Sequence, residues 1–147
     1  MKIEFTPEQY ETLLKSIAIS SWMINAFNEG DEELNSYAEL EQYILSFAKD
    51  FGKQEFVDYD AADNVYFPTR KFEDQTDIFD IISDYDNELF WDELIHRMAR
   101  RDFLQEYGET GVASMAIEER IEKEAPYISK YEEIFTNQGL ENIDIRP

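Results

Sequence analysis

The chain has 147 residues, with 34 acids against 13 bases and a net charge of −21. At 43% hydrophobic and 15% aromatic it is too apolar for intrinsic disorder, so folding is expected in spite of self-repulsion. A field of this sign repels DNA, RNA and anionic lipid, so direct nucleic-acid and membrane binding are not expected and basic proteins are the natural partners.

Thr6-Pro7-Glu8-Gln9 reads as a helix start, with Thr6 as cap, Pro7 at the first helical position and Gln9 completing a capping box. The helix is expected to run toward Gly30 on Tyr10, Leu13, Leu14, Ile17, Trp22, Met23, Ile24 and Phe27. Its second half is apolar nearly all round, which predicts the central, most buried helix. A second capping box, Ser36 with Glu39, opens a helix on Tyr37, Leu40, Ile44, Phe47 and Phe51, stopped by Gly52. The acidic turn around Gly30 and Asp31 favours an antiparallel pair, and Trp22, Ile24, Phe27, Ile44 and Phe47 are its expected core.

Lys53 to Phe72 lacks a helical period, and Val65-Tyr66-Phe67-Pro68 within it reads as a short extended segment or ordered loop. Thr76 is placed to cap a helix through Tyr85, followed by a longer one from about Asn87 to Tyr107, before Gly108. The two are either one element or are broken at Asp84–Asn87. Helical pattern returns at Ala113, is interrupted by Pro126, and resumes on Ile128, Tyr131, Ile134 and Phe135 until Gly139. Lys2 to Phe5 and Asn142 to Ile145 alternate like strands that could pair the termini. The expected architecture is a single mostly α-helical domain over residues 1–147, with about five or six helices and short terminal β-strands.

The absence of cysteine excludes disulfides, thiolate zinc sites, iron–sulfur ligation and a cysteine nucleophile. The N-terminus has no basic region followed by an apolar core, so no signal peptide is expected. The longest uncharged stretch, Ser16 to Asn28, is too short to span a bilayer, and a cytoplasmic location is expected.

The densest acidic stretch, Glu73 to Glu93, has no Lys or Arg. Within it Asp77, Asp80, Asp84, Glu88 and Asp92 recur at helical spacing, among Ile78, Phe79, Ile81, Ile82, Tyr85, Leu89, Phe90 and Trp91. One face can enter a core while the other carries a row of carboxylates. The row is either a solvated face or a surface that a partner reads. Carboxylates one turn apart also resemble phosphates along a nucleic-acid strand, which makes a nucleic-acid mimic acting on a DNA- or RNA-binding protein the second reading. Trp91 beside Phe90 cannot share one narrow face with it, so one ring of the pair is expected to be partly exposed, as at binding hot spots. Tyr59, Tyr66 and Tyr85 sit among acids and could supply further aromatic contacts. Asp77, Asp80, Asp84, Glu88, Trp91 and Asp92 are the expected partner-binding residues.

Catalytic patterns are sparse. Glu93 and His96 stand three apart on a helix, a spacing that can ligate one metal, but His96 is the sole histidine and a dinuclear carboxylate site needs a second such motif. A metal-assisted enzyme using His96 and nearby carboxylates is the third reading. Asp84-Tyr85-Asp86-Asn87-Glu88 has the alternating acids of a calcium loop, yet Leu89 and Ile95 fill the positions that need glycine and glutamate. Asp58-Tyr59-Asp60 fails likewise at Asp63 and Thr69. The basic run His96-Arg97-Met98-Ala99-Arg100-Arg101 reads as an anion site or, more simply, as arginines pairing with neighbouring acids. No catalytic residue, resident metal or cofactor is expected. The function expected from the sequence is a non-enzymatic acidic binding or regulatory domain that engages a basic partner.

Overall fold

The computed structural model describes residues 3–26, 35–141 and 143–144. Among these are five helices and a two-stranded antiparallel sheet, in the order α1 (Pro7–Asn25), α2 (Asn35–Leu45), β1 (Val57–Asp60), β2 (Val65–Pro68), α3 (Arg70–Gln75), α4 (Ile78–Ser114) and α5 (Ile117–Gln138). The fold is thus mostly α-helical with short strands. The chain divides into two compact units, Met1–Ser83 and Asp84–Pro147.

In the first unit, α1 begins as the sequence dictates. The Thr6 hydroxyl accepts from the Gln9 N–H at 3.2 Å, and the Gln9 side chain accepts from the Thr6 N–H at 2.9 Å. The first half of α1 supplies the core: Tyr10 and Leu14 are buried with Leu45, Ala48, Phe56, Phe72 and Ile78. Tyr10 stacks on Phe51 with ring centroids 4.2 Å apart and donates to the Ile44 carbonyl at 2.6 Å. Further along α1, Ser21 donates to Glu41, earlier in α2, at 3.0 Å, the order expected of antiparallel neighbours.

The second half of α1 corrects the expected core. Trp22 is 37% and Met23 51% exposed, Ile24, Ile44 and Phe47 are half-buried, and Phe27, Gly30 and Asp31 lie outside the described residues. Apolar composition alone does not bury a helix face; a packing partner must lie opposite it. The α2 stripe is corrected similarly, because Tyr37 and Leu40 are about half exposed and the buried residues are Leu45 and Ala48. Helix α2 already includes Ser36, and the turns after Leu45 end at Gly52. There Lys53 N–H donates to Ala48 and Gly52 N–H to Lys49, with Gly52 at φ 69°, so the glycine closes the segment by a Schellman motif.

Val65–Pro68 is the extended segment that the sequence suggests, and its partner is β1, with Tyr59 opposite Tyr66. The Asp60 carboxylate accepts from the Ala62 N–H at 2.7 Å and Asn64 takes φ 56°, which turns the chain between the strands. Gln42 of α2 satisfies the outer side of β2, donating to the Tyr66 carbonyl at 2.8 Å and accepting from its N–H at 2.6 Å. The sheet therefore lies mid-chain. Residues 3–5 and 143–144 form no strand, while Lys2, Asn142 and Ile145 lie outside the described residues. Thr69 caps α3 through its hydroxyl, and Thr76, rather than opening a helix, closes α3 by donating to the Phe72 carbonyl at 2.8 Å.

Helix α4 runs through Asp84–Asn87 without a break, and its one non-helical residue is Gly108, at φ 70° and ψ 157°. In the second unit Ala99 and Phe103 are fully buried. The small Ala99 side chain lets α5 approach, and Tyr131 and Phe135 pack there with Trp91, Leu94, Ile95, Met98, Tyr127, Ile128 and Ile134. Asp102 accepts from Tyr131, Lys130 and Arg101. Partial burial alone would raise its pKa, but these bonds and the Arg101 charge outweigh burial and hold the carboxyl well below the usual carboxylate range. Pro126 does not interrupt α5. The carbonyl of Glu122, one turn earlier, loses its donor there, but both residues are exposed and water can hydrate it.

Candidate functional site

The acids expected to bind a partner fall on α4 or immediately before it, but their surroundings differ. Asp77 is occupied: Lys15 of α1 donates to it at 2.9 Å, and that bond holds its carboxyl below the usual range. Asp80, in the first unit, and Asp84 and Glu88, in the second, are exposed, and their side chains have no hydrogen bond or ion pair among the described residues. Asp92 lies 3.6 Å from His96, one turn on.

The position of Asp84 and Glu88 follows from the second unit's packing. Trp91, Ile95, Met98 and Asp102 recur at the three-and-four spacing of a helix seam and meet α5. Continued backwards at the same spacing, this seam passes through Glu88 and Asp84. Phe135 meets Trp91 with ring centroids 5.9 Å apart, and α5 ends three residues later at Gln138. The two acids therefore occupy the stretch of seam that α5 does not cover.

Trp91 is half-buried and belongs to the α5-facing core, and the exposed ring of the pair is Phe90, at 49%, edge-on to Trp91 at 5.1 Å. Phe90 is the aromatic that the sequence argument left unassigned. Ile81, Tyr85 and Leu89 are each between 43% and 49% exposed as well. In the second unit apolar and acidic side chains thus lie side by side on the accessible surface of α4 from Asp84 to Phe90.

The remaining patterns are structural in their geometry. Asp84 to Ile95 is helix, not a loop, and Asp58 to Thr69 is the β1–β2 hairpin with its flanks, so neither can wrap a calcium ion in the manner of a helix–loop–helix site. His96 is largely exposed, and among the described residues no three of His, Asp or Glu converge as a metal site. Arg97 donates to Glu93 at 2.8 Å, Arg100 lies 3.7 Å from Glu124, and Arg101 donates to Asp102 at 2.7 Å. A shallow cavity of about 550 Å³ beside His96, Arg97 and Arg100 is consequently ringed by cations already matched to carboxylates. In the first unit an apolar groove of about 360 Å³ is lined by Trp22, Phe72 and Phe79. A second, more open cavity there has Tyr43, Tyr59 and Tyr66 in its walls.

No protein-family model, no curated protein and no solved structure matches the chain. Among the described residues no helix is long and apolar enough to cross a membrane.

Proposed function

We propose that the protein is a non-enzymatic binding module that engages a basic partner through the acidic, aromatic-studded surface of α4, with Asp84, Glu88 and Asp92 of the second unit as its frame. One observation carries the reading: Asp84 and Glu88 have no cation beside them among the described residues, while exposed Tyr85 lies between them and exposed Leu89 and Phe90 follow at once. Like charges at these helical spacings cost a few tenths of a kcal/mol per pair. Apolar surface left in water costs about 25 cal/mol for each Å² that could be covered. A partner presenting Lys or Arg among apolar side chains relieves both. Isolated exposed apolar residues are ordinary; several in one short stretch are what mark a contact surface.

The unbroken helix at Asp84–Asn87 favours a second reading, a nucleic-acid mimic, because it sets Asp84 and Glu88 at a rise of about 6 Å. The two readings differ in what competes for the partner. The protein and its Asp80→Asn/Asp84→Asn/Glu88→Gln variant would each be immobilised and exposed to lysate, with and without duplex DNA. The parent should retain basic proteins at low salt and release them near 1 M salt, where the Debye length has fallen from about 10 Å to about 3 Å. The variant should retain far less and melt at the same or a higher temperature. Release by DNA selects the mimic; retention in its presence selects the ordinary module. Equal retention by parent and variant would reject both.

A further inference from the structure

The open cavity in the first unit has three phenol rings converging on it. Tyr59 and Tyr66 are directly opposed on β1 and β2, with ring centroids 4.7 Å apart and planes inclined at 43°. Tyr43 enters from α2, its ring edge-on to Phe47 at 4.9 Å. Glu39, one turn before Tyr43 on the same helix, adds a carboxylate to the lining of this open cavity of about 680 Å³.

Tyr59 and Tyr66 are held in place. Tyr59 donates to the Asn64 side-chain oxygen at 2.6 Å, and Gln42 clamps the Tyr66 backbone on both its N–H and its carbonyl. No Lys or Arg lines the cavity, and Glu39 has no cationic partner among the described residues. Aromatic faces carry the negative part of the ring quadrupole, so converging rings with one carboxylate suit a weakly hydrated organic cation.

We propose that Tyr43, Tyr59, Tyr66 and Glu39 form a binding site for a methylated ammonium or guanidinium group carried on a side chain of a basic protein. Cross-strand tyrosines also stabilise hairpins. That role needs only Tyr59 and Tyr66, however, and gives no reason for a third ring that is 62% exposed or for a glutamate beside it that has no cationic partner among the described residues. The inference rests on the preceding functional reading only for the source of the cation; the site itself can be tested with small molecules.

The test is an NMR titration of the full chain with choline and with 3,3-dimethylbutan-1-ol, its neutral isostere. Choline should shift the ring signals of Tyr43, Tyr59 and Tyr66 saturably, and the alcohol should bind about tenfold more weakly or not at all. Tyr43→Leu should abolish choline binding, and Glu39→Gln, which leaves all three rings, should weaken it about threefold. The Asp80/Asp84/Glu88 variant should bind choline like the parent, which separates failure of this site from failure of the α4 surface. Peptides bearing trimethyl-lysine, arginine or unmodified lysine then identify the side chain, with either of the first two binding more tightly than the third. Equal binding of the alcohol, unchanged binding by Tyr43→Leu and Glu39→Gln, or no peptide preference over lysine would each overturn the proposal.

Discussion

Tyr10 joins three kinds of interaction in one side chain: it is 1% exposed, stacked on Phe51, and hydrogen-bonded to the Ile44 carbonyl. Tyr10→Phe should cost about 1–2 kcal/mol in urea unfolding, since the ring remains but the carbonyl loses its donor. Burial, with Asp50 nearby, pushes the phenol from an ordinary 10.0 up to about 12. The folded chain therefore keeps a proton that the unfolded chain gives up. The contribution of Tyr10 to stability is complete below about pH 10 and is lost as pH rises toward 12. Tyr127, pushed up to about 12 by its bond to Glu106, acts in the same direction. Stability measured from pH 9 to 12 should fall, and Tyr10→Phe should flatten that fall without removing it; an unchanged slope would mean that the phenol is not set by the fold. Asp102 shows the opposite sign of linkage: its depressed pKa favours the fold above the usual carboxylate range, and this is lost as pH falls through the folded value.

Among the elements, α5 carries an interior proline at a point where both Pro126 and Glu122, whose carbonyl loses its donor, are exposed residues. Pro126→Ala restores one backbone hydrogen bond and removes a strong helix breaker, so it should raise stability by about 1–3 kcal/mol and increase helical circular dichroism. No gain, or a loss, would show that the ring makes a contact worth more than the bond. The expected interruption at Pro126 is overridden by packing of Tyr127, Tyr131 and Phe135 after the proline and by the Arg100–Glu124 pair before it. Capping chemistry was legible where the donor and acceptor are neighbours in sequence, as at Thr6 and Gly52. Thr76 misled because threonine can serve either end of a helix, and α3, at six residues, is too short to display a period. Strand β2 was legible from its β-branched and aromatic run ended by proline. Strand β1 was hidden by its acids, Asp58 and Asp60, which read as candidate ligands until Asp60 is seen turning the hairpin. Of the candidate surface, the acidic period was plain in the sequence, but the half-burial of Trp91 and the exposure of Phe90 depend on where α5 ends. The meeting of Tyr43 with Tyr59 and Tyr66 depends on α2 lying beside β2, which no local pattern encodes.

For the molecule as a whole, the charge of −21 opposes folding and is offset by two separate apolar cores, one around Tyr10, Leu14 and Phe72 and the other around Ala99, Tyr131 and Phe135. Neutralising Asp80, Asp84 and Glu88 removes like charge without removing a side-chain bond among the described residues. This is why the variant is expected to melt no lower than the parent. The chain holds only two tryptophans, and the structure places Trp22 in the first unit and Trp91 in the second. Each unit thus carries its own intrinsic fluorophore. A Trp22→Phe protein emits from the second unit alone and a Trp91→Phe protein from the first. Because Trp22 is already partly in water while Trp91 is packed against Phe135, unfolding should red-shift the Trp91 emission more than that of Trp22. Denaturation followed at these two colours then reads the stability of each unit in the intact chain, with no label attached.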